Sequence, residues 1–320
     1  MKRILLTALV LLAGAPAVAQ ETWPSKPVRW IVAYAPGGFG DLRARKIGAE
    51  LSKSLGQPVV IENRAGAGGV VGTDAVAKAA PDGYTIGMGN FAALSVNVSL
   101  MRKLPYDVAR DFAPVVLLER SPLFLMAGPA LPATSLKDVL DAARANPGKL
   151  GFGSSGIGGA HHLSGEMLKL QTGIDIVHIP YKGGAPAAAD LLAGHLPMMF
   201  EMGYAAMPSI RSGKARAIAV TAAERLPLAP EVPTMAESGL PGFEVYNWQG
   251  VVVPAATPRA IVERLNRELN AILARPEQRE ALSQLASQPA GGTPEGFRDF
   301  IRAETAKWAR VVREAKIQQE

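Results

Sequence analysis

Four segments of this chain share one chemical grammar: an apolar run, a cluster of glycines, then a helical period. Ile31 to Asp41 reads Ile-Val-Ala-Tyr-Ala-Pro-Gly-Gly-Phe-Gly-Asp, and the helical stretch from Leu42 to Leu55 follows it. Gly87-Met88-Gly89-Asn90, Gly151-Phe152-Gly153-Ser154-Ser155-Gly156 and Ile179-Pro180-Tyr181-Lys182-Gly183-Gly184 repeat the pattern. A strand running through glycines into a helix leaves backbone N–H groups unpaired at the positive end of the helix dipole, an arrangement that holds anions. Gly37, Gly38, Phe39 and Gly40 would supply such amides. Asp41 is then either the helix N-cap or an acceptor facing the ligand. The plain alternative is a tight turn whose glycines serve positive φ, with Asp41 as a simple cap. Ligands of open α/β sheets bind outside the carboxyl ends of strands, so four such loops imply one site built from several strand ends.

Other chemistries are poorly served. Gly151 to Gly156 matches G-x-G-x-x-G, but the acidic residue a dinucleotide site wants about 20 positions on would be Asp175, which precedes its strand. Ser154 and Ser155 instead add hydroxyls to a second anion cradle. His162 and Glu166 stand four apart on one helix face, but no third ligand accompanies them, so no metal is expected. No serine sits in G-x-S-x-G, and Ser154 with His162 lacks an oriented acid, so no catalytic residue is assigned. No cofactor is expected.

Those segments must be positioned by an α/β framework. Strands are expected at Val28–Ala35, Val59–Glu62, Thr85–Met88 and Val115–Leu118. A second series covers Leu123–Ala127, Leu150–Gly153, Ile176–Ile179, Met198–Phe200, Ala217–Thr221 and Gly250–Val253. Ser135 with Asp138 forms a capping signature, and Thr257-Pro258 and Thr293-Pro294 each place a cap candidate before a proline. The last quarter reads as nearly all helix. Its stripe of Phe297, Phe300, Ile301, Trp308, Val311 and Val312 is a core face rather than a binding face.

The first twenty residues read as an export signal: Lys2 and Arg3, an apolar run from Ile4 to Ala13, and the small-x-small site Ala17-Val18-Ala19. Cleavage after Ala19 would leave 301 residues and lower the formal charge from +6 to +4. The chain has no cysteine, which removes thiol chemistry and Cys-based metal sites. Its basic residues are scattered, so nucleic acid is not an expected partner.

The order and spacing of many short motifs resemble the Bug family, the extracytoplasmic solute receptors of tripartite tricarboxylate transporters. They are Trp23-Pro24-Ser25-Lys26-Pro27, Ala35-Pro36-Gly37-Gly38-x-x-Asp41, Pro58 to Arg64, Ala79 to Thr85 and Leu104-Pro105-Tyr106-Asp107. Ser154-Ser155-Gly156-x-Gly158-x-x-x-His162-Leu163, Pro180-Tyr181-Lys182-Gly183, Val232-Pro233-Thr234, Gly239 to Gly242 and Gly291 to Glu295 follow. The resemblance spans the mature chain. It implies a two-lobed periplasmic-binding-protein fold of type II character, with the ligand cleft between the lobes. Lobe 1 would be 20–121 plus 243–320 and lobe 2 would be 122–242. It implies a small organic acid ligand, membrane permease subunits as partners, a monomer and a periplasmic location. A sensing receptor with the same fold, or an exported serine hydrolase, are the alternatives. By position, Gly37 to Asp41, Gly89 and Asn90 would line one wall; Ser154, Ser155, Gly156, His162 and Tyr181 the other. Three places depart from the family pattern. Glu201-Met202 replaces Asp-Asn, Phe39 is bulkier than usual, and His161 stands where proline is common. Glu201 is therefore included among the ligand-lining residues, and the ligand cannot be copied from relatives.

Overall fold

The computed structural model describes residues 23–318; the expected export signal and its cleavage site lie outside the described residues. Ten strands follow one another as β1 (Val28–Val32), β2 (Val59–Asn63), β3 (Thr85–Asn90), β4 (Phe112–Ala127), β5 (Gly151–Ser154), β6 (Val177–Pro180), β7 (Met198–Met202), β8 (Arg216–Val220), β9 (Tyr246–Pro254) and β10 (Gln288–Gly291). They join in the order β2-β1-β3-β9-β4-β7-β5-β6, with β8 and β10 also on β4. β1 pairs in parallel with β2 and β3, and β5 with β6 and β7, whereas every pairing of β4 and β9 is antiparallel. This is a mixed α/β fold. Near-continuous apolar strands such as Val-Arg-Trp-Ile-Val are buried on both faces because helices cover both sides.

The expected strands at Val115–Leu118 and Leu123–Ala127 prove to be one strand of 16 residues, Phe112–Ala127. The polar interruption that divided them in the sequence, Glu119-Arg120-Ser121-Pro122, is carried within the ladder. Glu119 is fully buried and accepts from Arg43 Nε at 2.9 Å. Register shifts near Pro114 and Leu117 absorb the irregularity. Burial raises the Glu119 carboxyl above its usual range, against the pull of the Arg43 guanidinium.

β4 changes partners once. Phe112 to Pro122 pairs with β9, and Leu123 to Ala127 pairs with β7 and β8. At the change, the buried Thr221 ties both crossing segments together. Its hydroxyl accepts from Leu123 N at 2.8 Å and donates to Val245 O at 2.5 Å. Its backbone N–H donates to Leu123 O, and its carbonyl accepts from Val245 N.

Helix ends follow their local chemistry. Ser135 and Asp138 form the expected capping box on Leu136–Ala145. Thr293 caps Pro294–Glu314 through Gly296 N at 3.0 Å, with Pro294 in the first turn. Thr257 departs from expectation. Pro258 is itself the N-cap of Arg259–Leu273, and the buried Thr257 hydroxyl finds no partner among the described residues. The C-terminal quarter also holds β10, which the helical reading missed; Pro289 and four-residue length conceal it as an edge segment. The terminal stripe is core as expected: Phe297 and Phe300 meet Trp248 edge-on, and Trp308 meets Phe91 edge-on at 5.1 Å.

Thr221→Val keeps the shape but orphans Leu123 N and the Val245 carbonyl. It should destabilise the protein by about 2–5 kcal/mol, the scale of two unsatisfied buried groups, read as a lowered urea midpoint.

Candidate ligand site at four helix N-termini

A cavity of about 360 Å³ is lined in part by Asn247 and Gln249 of β9, whose ladder partners Ser121 and Glu119 lie just before β4 changes partners. Four helices begin on it: Phe39–Leu55, Ala160–Thr172, Gly184–Ala193 and Gly203–Arg211. Their N-cap positions are Gly38, Gly159, Gly183 and Met202, and none receives a side-chain cap. Elsewhere Ser135, Thr293 and Asp107 cap their helices, whereas Val70–Ala77, Arg259–Leu273 and Pro276–Ser283 also lack a side-chain cap; what distinguishes the four is that they meet at one cavity. The first turns of a helix have no intrahelical acceptor for their N–H groups, and the dipole adds partial positive charge there. Four such ends on one cavity make a strongly anion-favouring space.

The sequence-derived residues divide. Gly38, Phe39, Gly40, Asn90, Ser155 and Glu201 line the cavity. Gly37, Asp41, Gly89, Ser154, Gly156, His162 and Tyr181 stand behind its walls, each with another task. Asp41 accepts from Gly37 N at 2.8 Å, Arg45 Nε at 3.0 Å and Asn63 Nδ2 at 2.9 Å. Its carboxylate folds the loop back on itself and holds it to β2. The Arg45 guanidinium, with the Gly37 and Asn63 donors, keeps its pKa down at about 2. Gly37 takes φ +80°, and its amide is consumed by Asp41. A Cβ at Gly89 would fall 2.5 Å from Leu94, so this glycine serves packing. The Ser154 hydroxyl, wholly buried, bonds His178 Nε2 at 2.6 Å and takes the Gly156 amide. Tyr181 donates to Asp190 at 2.8 Å. His162 stacks on His178 with ring centroids 3.8 Å apart, and its Nδ1 accepts from Gly158 N.

Gly183 and Gly184, from the fourth glycine loop, also line the cavity, and the remaining lining residues were not assigned to the site from sequence. Tyr34 donates to Asn90 Oδ1 at 3.1 Å, and burial pushes its hydroxyl up to about 12, so it stays protonated. Asn90 Nδ2 and Gln249 Oε1 have no partner among the described residues, although both side chains are buried. Asn247 and Gln249 were legible as polar residues alternating through an otherwise apolar strand, Tyr-Asn-Trp-Gln-Gly-Val-Val-Val. His161 is the other miss. Neighbouring helical residues point about 100° apart, so one histidine of the pair enters the cavity while the other enters the core. His161 Nδ1 bonds the Ser155 hydroxyl at 2.8 Å and its Nε2 bonds Glu201 Oε1 at 3.0 Å. Phe39 and Tyr204 stack across the cleft from opposite walls, 5.2 Å between centroids and 17° from parallel.

A groove of about 980 Å³ between Val98–Pro114 and the terminal helix is larger. No uncapped helix of two turns or more begins in it, since Asp107 caps the short helix there. Among the described residues no three His, Cys, Asp or Glu side chains gather as a metal site. No described helix is long and apolar enough to cross a membrane.

A two-lobed α/β chain with a helix-ringed cavity at its strand crossover is a solute-binding protein. The family described as the tripartite tricarboxylate transporter family receptor matches residues 43–317, and the chain belongs to that family. BugT of Bordetella pertussis is 42% identical over 301 residues, covering 94% of this chain and 92% of the relative. Among solved structures, R. palustris Rpa4515 with adipate is 38% identical with TM-score 0.84, covering 92% of this chain and 99% of that one. MatC from Rhodopseudomonas palustris with bound malate is 34% identical with TM-score 0.80, covering 91% and 100% respectively. The family is described as a receptor, and this chain is accordingly a solute-binding receptor rather than an enzyme.

Two outcomes follow from the site. Phe39→Ala removes one half of the stacked pair at the cleft and should speed ligand dissociation about tenfold with little change in association, measured by stopped-flow fluorescence; interface changes act mostly on the off-rate. The histidine stack gives a pH dependence. Burial holds His162 down at about 3 and His178 at about 4, with Lys169 and, for His162, its neighbour His178 adding repulsion. Below pH 6.5 the unfolded chain takes up protons that the native rings refuse. Stability is therefore complete above about pH 6.5 and falls on acidification towards those values, by up to about 1.4 kcal/mol per pH unit for each ring. Urea midpoints from pH 7 to pH 5 should fall, and His178→Gln should flatten the slope.

Proposed function

We propose that this protein is a periplasmic receptor that closes two lobes around a small carboxylate and presents it to the membrane permease subunits of a tripartite tricarboxylate-type transporter. The observation that carries this reading is the convergence of four uncapped helix N-termini on one cavity. A carboxylate leaving water must have its oxygens hydrogen-bonded, and free first-turn amides supply that without a salt bridge. Adipate and malate in the related structures support the same ligand class. The chain works as a monomer, is exported with cleavage after Ala19, and needs no cofactor.

The lobes of this reading are 20–121 with 243–320, and 122–242. The change of β4 partners between Pro122 and Leu123, and the Thr221 tie to Val245, support these boundaries. Gly38 to Gly40 and Asn90 belong to one wall, Ser155, Gly159 and Ala160 to the other. Each wall alone offers part of an anion shell, so the ligand favours the closed state by contacts absent when the walls part. Asp41 and His162 act from behind the walls by holding the loops.

The test is a thermal-shift screen of the mature protein against mono-, di- and tricarboxylates with neutral amides and sugars as controls. A cognate carboxylate at about 100-fold over its Kd should add roughly 2.7 kcal/mol of stability. A melt unmoved by every carboxylate would refute the reading.

A further inference from the structure

Glu201 is a carboxylate already seated in the anion-favouring cavity. It is 2% exposed, lies at the end of β7, and stands beside two of the four helix N-termini. Its Oε1 accepts from His161 Nε2 at 3.0 Å and from the backbone N–H of Met202, the N-cap of Gly203–Arg211, at 2.8 Å. Its Oε2 lies over Gly184, where a Cβ would stand only 3.0 Å away, at the start of Gly184–Ala193. Oε2 accepts no hydrogen bond from any described residue. The side chain thus occupies part of the positive field of both helices and offers one bare acceptor to the cavity.

The opposite wall has the reverse character. Asn90 Nδ2 is a buried donor without a partner, and the first-turn amides of Phe39–Leu55 are uncapped beside it. A half-turn of the Gln249 amide, whose Oε1 is unpartnered, would bring its nitrogen to the same place as its oxygen, so this residue adapts to either need. Donors therefore gather on the Gly38–Asn90 wall, and the unfilled acceptor sits at Glu201. We infer that this receptor takes a monocarboxylate whose far end carries an N–H or O–H donor, and that Glu201 turns away ligands with a second carboxylate. The inference rests on the carboxylate-receptor reading above and narrows it.

The physical reason is direct. A second ligand carboxylate at Gly184 would meet the buried Glu201 charge, and juxtaposed like charges in a desolvated site are strongly unfavourable. An amine, amide or hydroxyl there would satisfy Oε2 instead. His161 is a positioning residue: bonded to Ser155 on one side and Glu201 on the other, it fixes where the carboxylate points. A hydrophobic tip would leave Oε2 bare and desolvated, so donors are favoured over alkyl ends as well.

Isothermal titration calorimetry on the mature, ligand-stripped protein separates these outcomes with ligands of matched length. Glutarate and succinate are compared with their monoamides, with 4-aminobutanoate and 4-hydroxybutanoate, and with pentanoate. At least one donor-tipped monocarboxylate should bind about 100-fold or more tightly than the dicarboxylate of its length, the scale of a like-charge clash. It should also bind more tightly than pentanoate. The amine, amide and hydroxyl arms identify the donor. In Glu201→Gln the preference should shrink about tenfold or more, chiefly through tighter dicarboxylate binding. A dicarboxylate binding the native protein as tightly as every donor-tipped partner overturns the inference while leaving the carboxylate reading intact. Pentanoate equal to the donor-tipped ligands overturns it too. If no carboxylate binds at all, the parent reading fails, and this one with it. The native-protein comparison decides the matter even if Glu201→Gln does not fold.

Discussion

Peptide N–H groups at the start of a helix must find acceptors, and this protein leaves four sets of them without side-chain caps around one cavity. The chain can cap helices with side chains and does so at Ser135 and Thr293. At the cavity it places Gly38, Gly159, Gly183 and Met202 instead. Val70–Ala77, Arg259–Leu273 and Pro276–Ser283 also start without a side-chain cap, but they stand apart, whereas at the cavity four such starts converge where a ligand can meet them. That constraint explains why glycines crowd the strand ends, why the loops are braced from behind, and why an internal carboxylate is tolerated there. Asp41 and Glu201 illustrate two solutions. Asp41 is turned outward and spent on Gly37, Arg45 and Asn63, whereas Glu201 faces in and keeps one oxygen bare.

Closure of such a site requires the two walls to move without breaking the sheet that carries them. β4 and β9 serve both needs, because each runs continuously past the cavity while the partners of β4 change. The cavity sits at that change, so Asn247 and Gln249 on β9 belong to the ligand site and to the connection at once. Thr221 gathers the crossing segments through one hydroxyl. The buried Arg43–Glu119 pair fastens the helix bearing Phe39 and Gly40 to the same strand. The loops at the cavity and the strand that changes partners are therefore mechanical neighbours.

Much of this was legible in the sequence because it depends on local chemistry. Glycine clusters after apolar runs located the loops, and capping residues fixed two helix starts, at Ser135 and Thr293, whereas Thr257 and Asp41 are not the caps they could have been. The facing of individual residues was less accessible. His161 and His162 are adjacent and chemically identical, and only the packing of Phe152 and His178 decides which one is buried as a ring stack. The unbroken course of β4 was hidden because Glu119 reads as a strand breaker until Arg43, far away in sequence, is seen to neutralise it. Phe39, by contrast, stood out as too large for its place, and it does reach across the cleft to Tyr204.

In the receptor proposed above, a ligand carboxylate is held jointly by the helix ends of both walls. A crystal structure of the mature protein with its ligand tests this most directly. Carboxylate oxygens should lie within hydrogen-bond distance of the Gly38–Gly40 amides on one wall and of the Ser155–Ala160 segment on the other, with Glu201 facing a donor. A carboxylate bound to one wall alone, or a ligand seated in the Val98–Pro114 groove, would contradict it.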